Sequence, residues 1–218
     1  MFKIKPANNN DIDFVVESII SAEKNNSNIL SYKTIFGLND SEAKKFIKMM
    51  VLKKNDGCEL SLSSYLIAYY KSKPVGAIGA WIEGEEGFSS KTIKGNLLMS
   101  TLPKKAFLRA KEIHPIVSEL FIEYLNKSFC IGIVYIKKKY RGKGLVKKIL
   151  DFHIKKNKIN EKKINTYVQV FGNNISAIKT YKKYGFKEEK ELSSFNKKII
   201  QYLPSNKKIL LIKKHKNE

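Results

Sequence analysis

The sequence predicts an α/β fold: a mixed β-sheet flanked by helices on both faces, with a helical insert ahead of one central strand. Three observations carry that prediction. Short apolar runs of strand length alternate with stretches whose apolar residues fall at helical spacing. Lys71-Ser72-Lys73-Pro74 is a short polar connection that joins two strands as a hairpin. Two later strands are instead separated by a whole helix, as a crossover requires. Hairpins and crossovers in one chain call for a sheet that mixes antiparallel and parallel pairs.

The elements follow in order. Phe2–Lys5 alternates apolar and polar like a short strand. Asn10 and Asp11 open a helix, with Ile12, Val15, Val16, Ile19 and Ile20 on one face. Asp40-Ser41-Glu42 opens a second, with Phe46, Ile47, Met50 and Val51 as its apolar face and Asn55-Asp56-Gly57 as its stop. Ser64–Tyr70 and Val75–Ile82 are the hairpin strands. Glu83–Gly87 is a loop, and two or three helical pieces follow around 91–101, 103–113 and 116–126, with Pro103 and Pro115 as breaks. Phe129–Ile136 is long enough for a buried strand. Leu145 opens a helix striped by Val146, Ile149, Leu150, His153 and Ile154. Ile164–Phe171 is the next strand, Gly172-Asn173-Asn174 a turn, and Ser176–Tyr184 a helix that stops at Gly185. Phe186–Leu192 and Lys207–Ile212 are the last strands, around a turn at Pro204-Ser205-Asn206. Residues 213–218 read as a frayed polar tail. No repeat or linker divides the chain, so residues 1–218 are read as a single domain with 83–130 as its insert.

At 218 residues the chain can bury a sizeable core, and 43% hydrophobic residues exclude a fully disordered chain. No apolar run is long enough to cross a bilayer, and the N-terminus lacks the apolar core of a signal peptide, so the expected location is cytoplasmic. Cys58 and Cys130 stand alone, which favours two buried, reduced thiols over a zinc site or disulfide. No metal is expected. The formal charge is +22, from 42 basic and 20 acidic residues. Residues 1–110 hold 16 basic and 11 acidic side chains, and residues 111–218 hold 26 and 9, so an anion should bind the second half. Arg109 and Arg141 are the only arginines, which disfavours nucleic acid as the main partner.

Two stretches carry chemistry. Tyr140-Arg141-Gly142-Lys143-Gly144-Leu145 lies between an apolar strand and an amphipathic helix. Its glycines allow close backbone approach, and the helix start offers unpaired N–H groups at the positive end of the dipole, a site for pyrophosphate. Neither G-x-x-x-x-G-K-S/T nor G-x-G-x-x-G is present. The second is Asn174-x-x-Ala177-x-x-x-Tyr181-x-x-x-Gly185-Phe186. Ala177 and Tyr181 share one side of a helix, where a small residue beside a tyrosine leaves room for a ligand chain; a plain core helix with a glycine cap is the competing reading.

Together these pieces resemble the GNAT superfamily of acyl-CoA-dependent N-acetyltransferases. The likeness is tight over residues 129–192 and looser over the N-terminal elements. It implies a central mixed sheet and acetyl-CoA as co-substrate. It implies that strand 131–136 opens away from its neighbour and offers backbone groups of Val134 and Ile136 to the acetyl carbonyl and pantetheine arm. The R-x-x-G-x-G/A loop maps onto Arg141, Gly142, Lys143, Gly144, Leu145 and Val146, with backbone amides on the pyrophosphate. Asn174 and Ala177 would border the pantetheine, and Tyr181 would be the general acid at the sulfur. Val146 departs from the usual Gly or Ala, and its branched side chain threatens the phosphate position.

The implied activity is acetyl transfer from acetyl-CoA to a primary amine, by direct attack in a ternary complex. The acceptor would be a small-molecule or peptide amine, with no membrane involved and a homodimer left open. A GNAT-fold module that binds CoA or another anion without turnover, and a basic nucleic-acid-binding protein, are the alternatives. No base is readable. Glu119 and Glu123 precede the cofactor strand, Gln169 could orient an acceptor, and the loop acids Glu83, Glu85 and Glu86 could attract a cationic one. His153 reads as core, His114 as a loop residue, and Trp81 as core or cleft lining.

Overall fold

The chain is described by a computed structural model covering residues 1–25 and 27–215. Its described strands form one sheet: β1 (Phe2–Pro6), β2 (Tyr65–Tyr70), β3 (Lys73–Ile82), β4 (Phe129–Ile136), β5 (Thr166–Phe171), β6 (Lys187–Ser193) and β7 (Lys207–Lys213). Their spatial order is β1-β2-β3-β4-β5-β7-β6. β4 and β5 run parallel, and the other neighbouring pairs are antiparallel. The α-helices are α1 (Ile12–Lys24), α2 (Ser31–Phe36), α3 (Asp40–Leu52), α4 (Ser90–Thr101), α5 (Lys104–Val117), α6 (Leu145–Lys156) and α7 (Ile175–Lys183). The mixed sheet with helices on both faces is as the sequence predicts.

The strand period sorts the two faces. Tyr65, Ile67, Ala77 and Ile133 meet Val15, Val16 and Ile19 of α1, Ile47 and Met50 of α3 and Leu97 of α4. Leu66, Ile78, Ile131 and Val168 point the other way, onto Leu145 and Ile149 of α6 and Ile178 and Tyr181 of α7. Burying each such aliphatic side chain contributes about 1.5–3 kcal/mol over leaving it exposed. A capping box of Asn39 and Glu42 starts α3.

Several boundaries depart from the sequence reading, each for a physical reason. The hairpin turn is only Lys71 and Ser72, at φ 47° and 61°, so Lys73 and Pro74 belong to β3. Two left-handed residues give a mirror-image turn that suits the twist of the strands. The six-residue α2 was not foreseen, because it is too short to display a helical period. Pro115 does not break α5, whose last turn tolerates the lost N–H and carries His114 in the helix instead of a loop. The expected helix over 116–126 is a 3₁₀ turn, Ser118–Leu120, and then extended chain. Buried Ile122 and half-buried Tyr124 alternate there with exposed Phe121, Glu123 and Leu125, a period of two. The expected tail begins later: Lys213 closes β7, His215 donates its N–H to Asn165 Oδ1, and residues 216–218 lie outside the described residues.

One irregularity matters for the site. Gly79 faces Ile133 and Ala80 faces Ile131, so Gly132 is an extra residue that bulges β4. A Cβ at Gly132 would lie 2.5 Å from the Trp81 ring and 3.2 Å from the Glu59 side chain, so only glycine fits.

Candidate active site

β4 and β5 pair at Phe129–Thr166, Cys130–Tyr167 and Ile131–Val168, and then part. The opening therefore begins at the Gly132 bulge. Lys137 donates its N–H to Val75 of β3. By alternation along an antiparallel pair, the backbone groups of Ile136 and Val134 face the opposite edge, which β5 has left. Part of that edge is occupied, since Arg141 Nε donates to the Ile136 carbonyl at 3.0 Å.

The chain beyond β4 makes one 3₁₀ turn, Lys138–Tyr140, and enters α6 through Gly142 and Gly144, at φ 74° and 70°. A side chain is strained at such φ values, and ideal Cβ atoms at these two positions would meet nothing within 4 Å. The N–H groups of Gly142 through Lys147 have no hydrogen-bond partner among the described residues. The arrangement is an open concave loop of donors at a helix N-terminus, which fits an anion such as a pyrophosphate. Val146 does not obstruct it, because its side chain packs against the α6–sheet core.

On α7, Asn174 Oδ1 accepts from Ala177 N at 3.2 Å and caps the helix. Ala177 is half-buried against the same core as Val146. Tyr181 is 4% exposed, with its ring 5.4 Å from Phe186. Its hydroxyl has no partner among the described residues, and burial pushes its pKa well above that of an ordinary phenol. Such a group stays protonated at neutral pH.

The other sequence candidates are spoken for. Glu119 accepts from Ser194 at 2.6 Å, and Glu123 pairs with Lys91 on the surface. Gln169 donates to the Ile122 carbonyl. Glu83 is buried and accepts from Trp81 Nε1 and Ser90 N, while Glu85 pairs with Lys162, so the acidic loop is not a free lure for cations. His153 lies in the core, its Nε2 2.9 Å from the Ile78 carbonyl, and burial lowers its pKa to about 4. Cys58 and Cys130 are free and buried.

The face of the sheet opposite α6 and α7 holds a polar cluster that the sequence did not announce. Glu59, in the loop between α3 and β2, lies against the Gly132 bulge and pairs with Lys94 of α4 at 2.5 Å. Burial alone would raise the Glu59 carboxyl, but the charge and hydrogen bond of Lys94 outweigh it and hold it below the ordinary value. Tyr65 donates to the Glu59 carbonyl at 2.6 Å and fixes the loop. Tyr32 of α2 is buried with an unpartnered hydroxyl, and Lys94 Nζ lies 5.6 Å from the centre of its ring. Tyr124 stacks edge-on to Trp81 at 6.0 Å; burial first, and then nearby groups including Cys130, Glu59 and Tyr181, push its phenol up. Tyr124 and Tyr181 thus approach the opening from opposite faces of the sheet. These residues come from separate elements, and no spacing in the sequence links them.

The parted strands, the glycine loop and α7 define the class of protein: this is the GNAT fold. Residues 103–188 match the family model described as an acetyltransferase (GNAT) domain, so the resemblance seen in the sequence is borne out. The fold is similar to that of an N-acetyltransferase from Staphylococcus aureus Mu50, with TM-score 0.66, 17% identity, and 97% of this chain and 100% of that one covered. It is also similar to the Drosophila melanogaster polyamine N-acetyltransferase, with TM-score 0.58, 9% identity, and 98% and 100% covered. A chain of the NatC complex bound to Gag peptide and CoA gives TM-score 0.53, 14% identity, and 98% of each covered. No curated protein matches the sequence. Among the described residues no helix is long and apolar enough to cross a membrane, and no group of His, Cys, Asp and Glu is placed to hold a metal ion.

Proposed function

We propose that the protein is an N-acetyltransferase that moves an acetyl group from acetyl-CoA to a primary amine, with both bound at once. The observation that carries this is the alignment of two features: strands that part at a bulge, and unpaired N–H groups from Gly142 to Lys147 just beyond the opening. The donor residues fit the co-substrate. The loop amides would hold its pyrophosphate, with Arg141, Lys143 and Leu145 on the same turn. The edge of Val134 and Ile136 would pair with its pantetheine arm, beside Asn174 and Ala177. Acetyl-CoA, when bound, supplies an activated acyl thioester.

The remaining work falls to the chain's own side chains. An alkyl ammonium, with pKa of about 10.4, must lose a proton before it can attack. Strand amides facing the opening can stabilise negative charge on an acyl oxygen. Tyr181 keeps its proton at neutral pH and can hand it to a departing thiolate. Glu59 is a poor base, since Lys94 already stabilises its charge.

Calorimetric titration with acetyl-CoA and CoA tests the donor half, alongside an Arg141→Ala, Gly144→Asp double variant. Saturable binding, lost in the variant, is the expected result, followed by thiol release with an amine library. No binding at millimolar ligand would overturn the reading. Binding without thiol release from any amine would favour a CoA-binding module instead.

A further inference from the structure

We propose that the acceptor carries a carboxylate as well as its amine, and that Lys208 of β7 is the seat for that carboxylate. The inference rests on the acetyl-transfer reading above and names its substrate class. Lys208 stands opposite Phe171 in the β5–β7 register, on the same sheet face as Tyr167, Gln169 and Leu210. Its ammonium lies 5.7 Å from the Phe171 ring, at the end of β5 that has left β4. It is thus on the acceptor side of the opening, across the sheet from α6 and α7.

The charges on that side divide into a closed pair and an open one. Glu59 and Lys94 neutralise each other at 2.5 Å. Lys207, the neighbour of Lys208 on the other face, is closed by Glu191 at 2.8 Å. Lys208 has no ion-pair partner among the described residues. Glu23, near the end of α1, is near enough to act on Lys208 electrostatically yet forms no ion pair with it. One Glu23 oxygen accepts from Ser31 Oγ at 2.5 Å; the other has no partner among the described residues. A cation and an anion near each other but unpaired are complementary to a molecule that carries the opposite charges at its two ends. Glu23 would take the ammonium, and Lys208 the carboxylate.

The cost of leaving Lys208 open supports the same conclusion. Burial drives its pKa down to about 8, and Lys94 pushes in the same direction, against the opposing pull of Glu23 and Glu59. An incoming anion would reverse that penalty. A diamine fits worse: its second ammonium would meet Lys208 or Lys94, with Glu59 already committed. A single lysine without an arginine fork or a helix N-terminus suits one carboxylate better than a phosphate.

The test compares unbranched ω-amino acids, from glycine to 6-aminohexanoate, with the plain amines and diamines of matching length. Thiol release from acetyl-CoA gives kcat/KM, and calorimetry on the CoA-saturated protein gives affinity. At pH 7 the best amino acid should exceed its matching amine by about tenfold or more, the scale of one charge-assisted contact. Lys208→Met should collapse that ratio, and the calorimetric affinity with it, while Lys208→Arg should keep both. Raising the pH through 8 should shrink the ratio in the unaltered protein, as Lys208 loses its charge beside Glu23, Glu59 and Lys94. Thiol release with amines or diamines as good as the amino acids overturns the seat and leaves acetyl transfer standing. Absence of acetyl-CoA binding, and of thiol release from any amine, overturns both. A fall in kcat for every acceptor in Lys208→Met, with KM and the ratio unchanged, would assign proton transfer to Lys208 and overturn the seat.

Discussion

The two halves of the proposed site, one for the acyl donor and one for the acceptor, are built on different plans. The donor half comes from one contiguous stretch, from Val134 on β4 through the glycine loop to Tyr181 on α7. It presents mainly backbone: the freed edge of β4 and the N–H groups of residues 142–147. The acceptor half, as proposed, draws single side chains from many elements: Glu23 from α1, Tyr32 from α2, Glu59 from a loop, Lys94 from α4 and Lys208 from β7. Backbone recognition demands glycines and an unpaired helix start, which leave a mark at fixed spacing. Side-chain recognition by tertiary convergence leaves none.

The sharpest break in this comparison would come at the point where the halves meet. Tyr181→Phe should lower kcat by roughly a hundredfold, the lower range for a general acid, with KM for acetyl-CoA nearly unchanged. The packing of its ring on Phe186 is retained in that variant, so folding should hold. Equal kcat would move the proton donor elsewhere, and Tyr124, across the sheet, becomes the next residue to replace. In the donor half, the Arg141→Ala, Gly144→Asp variant should weaken acetyl-CoA by about a hundredfold, or roughly 2–3 kcal/mol. Its melting temperature should move little, because the space at Gly144 is open and only the left-handed backbone is strained, at about 1 kcal/mol. A large loss of stability with affinity intact would make the loop structural.

That asymmetry also explains what the sequence could show. The strand–loop–helix order around Arg141 and the Asn174–Gly185 spacing place β4, the glycine loop, α6 and α7 where the structure has them. The apolar stripes do the same for α1, α3 and α6. Where the signal was short or came from both sides of a proline, it misled. The stretch 116–126 has helix-forming residues, but burial of Ile122 and Tyr124 pulls it into extended chain, and α5 absorbs Pro115 in its last turn. Glu83 reads in the sequence as a loop acid that could attract a cationic acceptor, yet it is buried and bonded to Trp81. Glu59, the neighbour of an unremarkable Cys58, acquires its meaning only from the Gly132 bulge and from Lys94, 35 residues on.

The acceptor half is also where a single deletion should cost stability. Lys94→Met leaves the Glu59 carboxylate largely buried without its partner. A fully buried broken pair costs about 3–5 kcal/mol; with side chains 32% and 16% exposed, about 2 kcal/mol is expected here. Adding Glu59→Gln should restore most of it, since no lone charge then remains. Chemical denaturation of the two variants measures the difference. If the double variant is as unstable as the single one, Lys94 acts by packing on Tyr32 and not by charge.

The smallest effect probes the donor half by pH. His153 sits on α6, the helix whose start forms the donor loop, and bonds the Ile78 carbonyl on β3. Burial holds its folded pKa at about 4, against 6.5 for a free imidazole. The unfolded chain therefore takes up the proton first, and stability falls as pH drops through 6.5. Between pH 6.5 and 5.5 the loss should be about 1 kcal/mol, continuing until the folded form also titrates near pH 4. His215, whose pKa is also lowered by burial and by Lys213, adds a smaller slope of the same sign. His153→Gln keeps an N–H for the Ile78 carbonyl but cannot titrate, and it should lose most of that slope from pH 6.5 to 5.5. Persistence of the full slope in that variant would place the titrating group elsewhere, and would separate the acid sensitivity of the fold from the helix that carries the donor loop.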